Sequence, residues 1–312
     1  MLSFRSMLVS RRAYTFLLLF GAALAGFSGA STAASAAQDQ ADEAVDQVRI
    51  IEISGLVDPV VADFVVTELD SAEADGALGV LFQLDSKGVV LDDSDFVELA
   101  RRLDTSPVQI GVWVGPSGSV ALGGAAELLG VADIVGVSVG SRVGETGALR
   151  LPESQFGEPF GEATDRLRDT SISAPEALEL GISNVETDPS CPDIECSLVE
   201  VSVLREFLTF FDGYQSPEDT DDPAELTQPR FVQLPLSSQL FHTVASPEVA
   251  YLLFVGGLAL LIFELYTAGV GIAGVIGAGC LVLGCYGLAV LPTRSWAIAA
   301  LVAALFCFAV DI

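Results

Sequence analysis

The sequence predicts an α/β protein: a soluble domain of repeated β-α-β units, then a transmembrane α-helical hairpin and a third apolar helix. Three observations carry this. Apolar strand-like runs alternate with amphipathic helical stretches from Gln47 to about Gly213, a rhythm that implies parallel strands with right-handed crossovers. Val249–Tyr266 and Ala268–Leu291 are each apolar and long enough to cross a hydrocarbon core of about 30 Å, which takes about 20 helical residues. Trp296–Val310 is a third, shorter apolar run.

The N-terminus sets the compartment. Arg5, Arg11 and Arg12 precede an apolar core from Ala13 to Phe27, and small residues lead to Ala34-Ser35-Ala36. This is the pattern of a secretory signal peptide over residues 1–36; the alternative is an uncleaved first membrane helix. Ser10-Arg11-Arg12 before Phe16-Leu17 also has the form of a twin-arginine signal, beside general secretion. Such a leader places the soluble domain on the extracytoplasmic side of a multi-pass protein of the cell membrane. Arg294 is the single basic residue of the apolar region and orients it weakly.

After a polar leader, Gln38–Asp46, the units read in order. Val48–Ile53 is a strand, Val60–Leu69 a helix, Gly79–Leu84 a second buried strand and Asp93–Leu103 a helix. Val108–Val114 is a third strand, Ala121–Leu129 a helix and Ile134–Ser138 a fourth strand. Residues 214–247 turn acidic and Pro-containing, which is the composition of a linker.

The formal charge is −28, from 42 acidic and 14 basic residues. Phosphate backbones need cationic partners, so nucleic acid is excluded as a ligand class. Cys191 and Cys196 flank an acidic loop, and an oxidising compartment favours a local disulfide between them over a metal site. No second Cys pair or His cluster lies nearby to complete a metal site, and neither metal nor cofactor is expected. His242, the single histidine, stands close to the membrane entry and reads as a hydrated interfacial residue. Asp133 fits a buried loop position.

Glu264 stands near the end of the first apolar span. An intramembrane carboxyl is a functional candidate, but one turn from the helix end it also suits capping or bracing of the hairpin. Ala273, Gly274, Gly277 and Ala278 give small-residue spacing suited to close helix packing.

The membrane run Ser246–Leu291, with its acid and Gly-rich turn, resembles the membrane segment of the NfeD family, described as membrane-bound serine proteases of the ClpP class. The soluble part is similar to the ClpP/crotonase-like half of those proteins through Glu52–Pro59, Leu84–Val89, Pro116–Gly124, Gly140–Glu145 and Ala174–Gly181. The resemblance implies a ClpP/crotonase-like domain over 47–213, NfeD-like helices over 249–310, a homo-oligomer and a stomatin (SPFH)-type membrane partner. Family members often end in a small OB-like barrel, and the sequence stops at Ile312 without one.

Active members are serine-lysine peptidases, which need an activated hydroxyl and backbone donors for the oxyanion. Alignment through Pro116-Ser117-Gly118 and Ala132-Asp133 puts Gly123 where the nucleophilic serine belongs. Lys87 is the only lysine in the chain, so the later general-base position is empty. The family's oxyanion-loop glycine pair is here Gly88-Val89. These departures imply a catalytically inactive relative acting as a membrane scaffold. The alternative is a divergent membrane-bound endopeptidase that cleaves apolar segments, with Ser119 (or Ser117) as nucleophile and Lys87 as base. A third reading is a module that binds an extended peptide by strand addition.

Overall fold

The computed structural model describes residues 47–183, 204–217, 219–220, 226–267, 271–291 and five positions between 299 and 307. The leader, the Cys191/Cys196 pair and most of the third apolar run lie outside the described residues.

Strand β1 (Gln47–Val57) feeds helix α1 (Pro59–Asp75) through Asp58, whose Oδ1 accepts from Val61 N at 2.9 Å, with Pro59 pre-set for the first turn. Gly76, at φ 68°, closes the helix in the left-handed conformation that glycine adopts without Cβ strain. Strand β2 (Gly79–Val89), α2 (Asp93–Asp104) and β3 (Gln109–Val114) complete the second unit. Then come β4 (Val120–Leu122), the one-turn α3 (Gly124–Glu127), a 3-10 turn (Leu128–Val131), β5 (Ile134–Val137) and β6 (Arg142–Gly144). Helix α4 (Glu158–Asp169), β7 (Ser171–Ser173) and α5 (Ala174–Glu179) follow.

These strands share one sheet. β2 pairs in parallel with β1, β3 and β4; β3 continues to β5 and β4 to β6, and β7 alone joins antiparallel. The expected helix over Ala121–Leu129 is replaced by β4 plus α3, because Gly123-Gly124 interrupts helical propagation. Strands β4, β6 and β7 have three residues each, too short to leave a periodic signal in the sequence.

Both faces of the sheet are covered. Ile51, Ile53, Phe82 and Leu84 pack under α1 and α2 with Leu69 and Phe96. On the other face Val48, Ile50, Leu81 and Trp113 meet Phe207, Leu208 and Phe211 from and just beyond α6 (Leu204–Leu208). A Cβ on Gly79 or Gly111 would stand only 2.5 or 2.6 Å from the Phe211 ring, so both strands stay bare there. Arg49 is buried in this sheet and bridges to Glu68 at 3.0 Å and to Asp75.

The stretch 214–247, read from the sequence as a linker, carries structure. β8 (Gln228–Val232) pairs in parallel with β1 from Gln47↔Gln228 to Ile51↔Val232, and α7 (Leu236–Val244) follows. Pro229 is compatible with a strand because β8 lies on the sheet edge, where a missing N–H costs no ladder bond.

Helices α8 (Pro247–Thr267) and α9 (Ile272–Val290) are each long and apolar enough to span a membrane and pack against each other. The chain is therefore an α/β sheet domain carried by a membrane helix pair. Added Cβ atoms would meet the partner helix's backbone at 2.6 Å from Gly257, 2.8 Å from Gly277 and 2.6 Å from Gly284, while at Gly287 one would stand 2.8 Å from Ala250 Cβ of α8 and 2.2 Å from Val244 O of α7. The close approach thus runs along Gly257, Gly277, Gly284 and Gly287, whereas Gly274 meets only the Glu264 side chain, at 3.2 Å. Glu264 Oε1 accepts from Gly271 N at 2.6 Å, at the N-terminus of α9. The carboxylate there satisfies an otherwise orphaned helix donor.

Candidate functional site

The C-terminal ends of β2 and β4 converge on the turn before α3. Gly123 occupies that turn with φ 59° and ψ −136°, a tight strand-to-helix elbow strained for any residue with a Cβ. Its N–H donates to Gly144 O at 3.0 Å, tying the elbow to β6. A side chain at 123 would enter open space, with Gly88 Cα the nearest atom at 3.7 Å. The nucleophile position and the oxyanion loop inferred from the sequence therefore face each other.

Val89 lies on the same spot. Its Cγ2 stands 3.0 Å from where a Cβ of Gly124 would be, so its isopropyl group sits against the first residue of α3. Ser86 Oγ, fully buried, holds the loop from below, donating to Gly88 O at 3.0 Å and accepting from Gly88 N at 3.3 Å.

The fallback pair is not brought together. The register Ser86↔Ala121 puts Lys87 one step past that pair and Ser119 two steps before it, about 10 Å apart along the strands. Ser119 is buried while Lys87 is exposed. Ser117 ties its turn to the loop before β6, donating to Val139 O at 2.5 Å. Asp133 Oδ2 accepts from Ile110 N at 2.8 Å, a loop-bracing role.

Two residues beneath the elbow escaped the sequence reading. Glu127, one turn after Gly123, is 0 % exposed, and its Oε2 accepts from Arg150 N at 3.0 Å and Leu151 N at 2.9 Å. Its Oε1 is buried without a partner, and burial pushes its carboxyl above the usual range. The Arg150 guanidinium donates to Val89 O and Leu91 O at 3.2 and 2.5 Å and to Asp93 at 2.7 Å, and stacks 4.7 Å from the Phe96 ring centroid. The elbow helix and the Gly88-Val89 loop are thus cross-braced through residues 150–151. The signal available in the sequence was a lone acid inside the apolar run Ala125–Val131.

His242 corrects its reading as a freely hydrated residue. Nδ1 lies 2.8 Å from Asp58 Oδ2 and Nε2 2.9 Å from Ser54 O, joining α7 to the end of β1. Carboxylate and carbonyl are both acceptors, so the geometry favours the doubly protonated ring, in which both nitrogens donate. The Asp58 carboxylate, 1 % exposed, raises the His242 pKa above its ordinary value. A raised folded value means the contact stabilises fully below about pH 6.5, the unperturbed value, and fades as pH rises through the folded value. We expect His242→Ala to lower stability by about 2 kcal/mol at pH 6, with the gap to the parent closing by pH 9. Urea denaturation followed through Trp113 emission checks it.

Among the described residues no cluster of three or more His, Cys, Asp or Glu is placed to hold a metal. The fold and elbow define the class: a ClpP/crotonase-like domain anchored by a membrane helix pair. Residues 248–312 match the family model of the NfeD integral membrane domain, so the chain carries that domain. A lysine-to-alanine variant of the 1510-N membrane-bound stomatin-specific protease, with a substrate peptide, is structurally similar. The TM-score is 0.50 at 15 % identity, over 64 % of this chain and 98 % of that one. The 1510-N membrane protease specific for a stomatin homolog from Pyrococcus horikoshii matches at TM-score 0.48 and 17 % identity, over 64 % and 99 %. At these identities the likeness is one of fold. No curated protein matches the sequence.

Proposed function

We propose that this chain is a membrane scaffold that retains the architecture of a stomatin-directed protease without its hydrolytic groups, and partners a stomatin (SPFH)-type membrane protein. One observation carries it. The elbow residue facing the oxyanion loop is Gly123, and the neighbouring space holds the Val89 side chain. With neither a hydroxyl at the elbow nor a lysine after Lys87, acyl transfer has no nucleophile–base pair there. The secretory leader supports an extracytoplasmic soluble domain, and the ClpP-type architecture supports a homo-oligomer.

A second reading, a divergent serine endopeptidase acting on apolar segments, is favoured by the fold likeness to a protease that holds a substrate peptide. Fluorophosphonate labelling of the full chain in detergent separates the two. We expect no labelling of the parent, of Ser119→Ala or of Lys87→Ala. Labelling of the parent that disappears in Ser119→Ala would establish the peptidase and overturn the scaffold.

A further inference from the structure

We infer that the outer face of α7, centred on Leu236 and Leu240, is a docking surface for the headgroup–acyl boundary of the bilayer.

Helix α7 has three differently committed sides. His242 points to β1 and Asp58, and Phe241 stacks edge-on with Tyr286 of α9 at 5.1 Å between centroids. At its end, Val244 O stands 2.2 Å from where a Cβ of Gly287 would be, so the helix abuts the terminal turn of α9. The remaining side carries Leu236 and Leu240, four residues apart and so on one face, at 84 % and 51 % exposure. Two large aliphatic groups left in water on a short helix forfeit the transfer free energy that burial would supply.

What covers them follows from position and charge. Helix α8 begins at Pro247, three residues after α7 ends, and α7 packs on the end of α9 that lies beside the start of α8. That is the level at which a hairpin long enough to span the core leaves it. The charge pattern agrees. In a chain with 42 acidic residues, residues 226–247 contain no Asp or Glu, and Arg230 and His242 are their only basic residues; Glu248 follows in the first turn of α8. An acid-free stretch with aliphatic residues outward is what a helix lying in the interface requires, since a carboxylate there would face both phosphate and low dielectric.

The test uses the full chain in phosphatidylcholine vesicles carrying Leu240→Trp, read as added emission over the parent's own tryptophans. Glu98→Trp on α2, far along the chain from the membrane segment, is the control. We expect most of the emission added at 240 to be lost in lipid brominated along the acyl chain and to resist aqueous iodide, with the opposite behaviour at 98. Emission at 240 quenched by iodide and not by brominated lipid would overturn the proposal by showing a water-facing helix. Emission protected from both would overturn it in favour of a protein cover, such as a second copy. Leu236→Trp repeats the measurement one turn earlier, and an unchanged far-UV circular dichroism spectrum certifies the fold of both variants.

Discussion

Glu127→Ala is expected to lower the stability of the soluble domain by about 3–5 kcal/mol, the largest single-residue effect beneath the elbow. Two opposing terms decide it. Burying the carboxylate is costly, and its Oε1 recovers nothing because no donor reaches it. Against that, Oε2 accepts two backbone N–H groups, and its loss would leave the buried Leu151 donor and the half-buried Arg150 donor without this acceptor. Removal of the side chain keeps the orphaned donors and adds a cavity, so the loss outweighs the relief. Glu127→Gln retains an acceptor oxygen and is expected to lose less. The same comparison carries a pH signature. Because burial raises the folded pKa, protonation stabilises: the contribution is full below the ordinary carboxylate value and lost as pH rises through the folded one. The Gln variant should lack this component when urea midpoints, read by Trp113, are compared between pH 4 and pH 7.

The second large effect is in the membrane pair. Gly277→Leu places a branched side chain where a Cβ alone would already stand 2.8 Å from Gly257 O and 3.0 Å from Leu261 N. Backbone cannot yield as a side-chain tip does, so α8 and α9 must separate, at a cost of about 1–3 kcal/mol or more. Gly279→Leu, with nothing within 4 Å of its Cβ, should be tolerated. Gly274→Ala should be mild, since the Glu264 side chain can shift. Maleimide labelling of half-buried Cys280, with the other four cysteines replaced by serine, reads the result in detergent: faster in Gly277→Leu, unchanged in Gly279→Leu.

What the sequence disclosed follows from how far each signal is local. Strands β1, β2, β3 and β5 and helices α1 and α2 announce themselves because their apolar positions recur at the strand or helix period. Strand β8 does not, since Gln228, Pro229, Arg230 and Phe231 all remain exposed and its pairing is with β1, far away in sequence. The elbow was reached only through the family resemblance, which put Gly123 and the Gly88-Val89 pair at the site, whereas the apolar periodicity alone ran a helix through it over Ala121–Leu129. Glu127, Arg150 and the Asp58–His242 pair were not reached. Their roles rest on partners distant in the chain, and a single acid or histidine carries no record of which carbonyl it will meet. The helix seam was half legible: glycine spacing marked Gly277, but choosing Gly257, Gly284 and Gly287 over Gly274 required the rotation of one helix about the other.

The pairing of β8 with β1 has a consequence for the order of assembly. Among the described residues, the outer edge of β1 is paired over Gln47–Ile51 by β8, the last strand, which is followed within a few residues by α7 and the membrane helices. The sheet therefore closes only after almost all of the soluble sequence has been synthesised, immediately ahead of the hydrophobic pair. A chain cut at residue 213 would leave the outward-facing N–H and C=O groups of Gln47–Ile51 without β8, an open template for pairing with another chain.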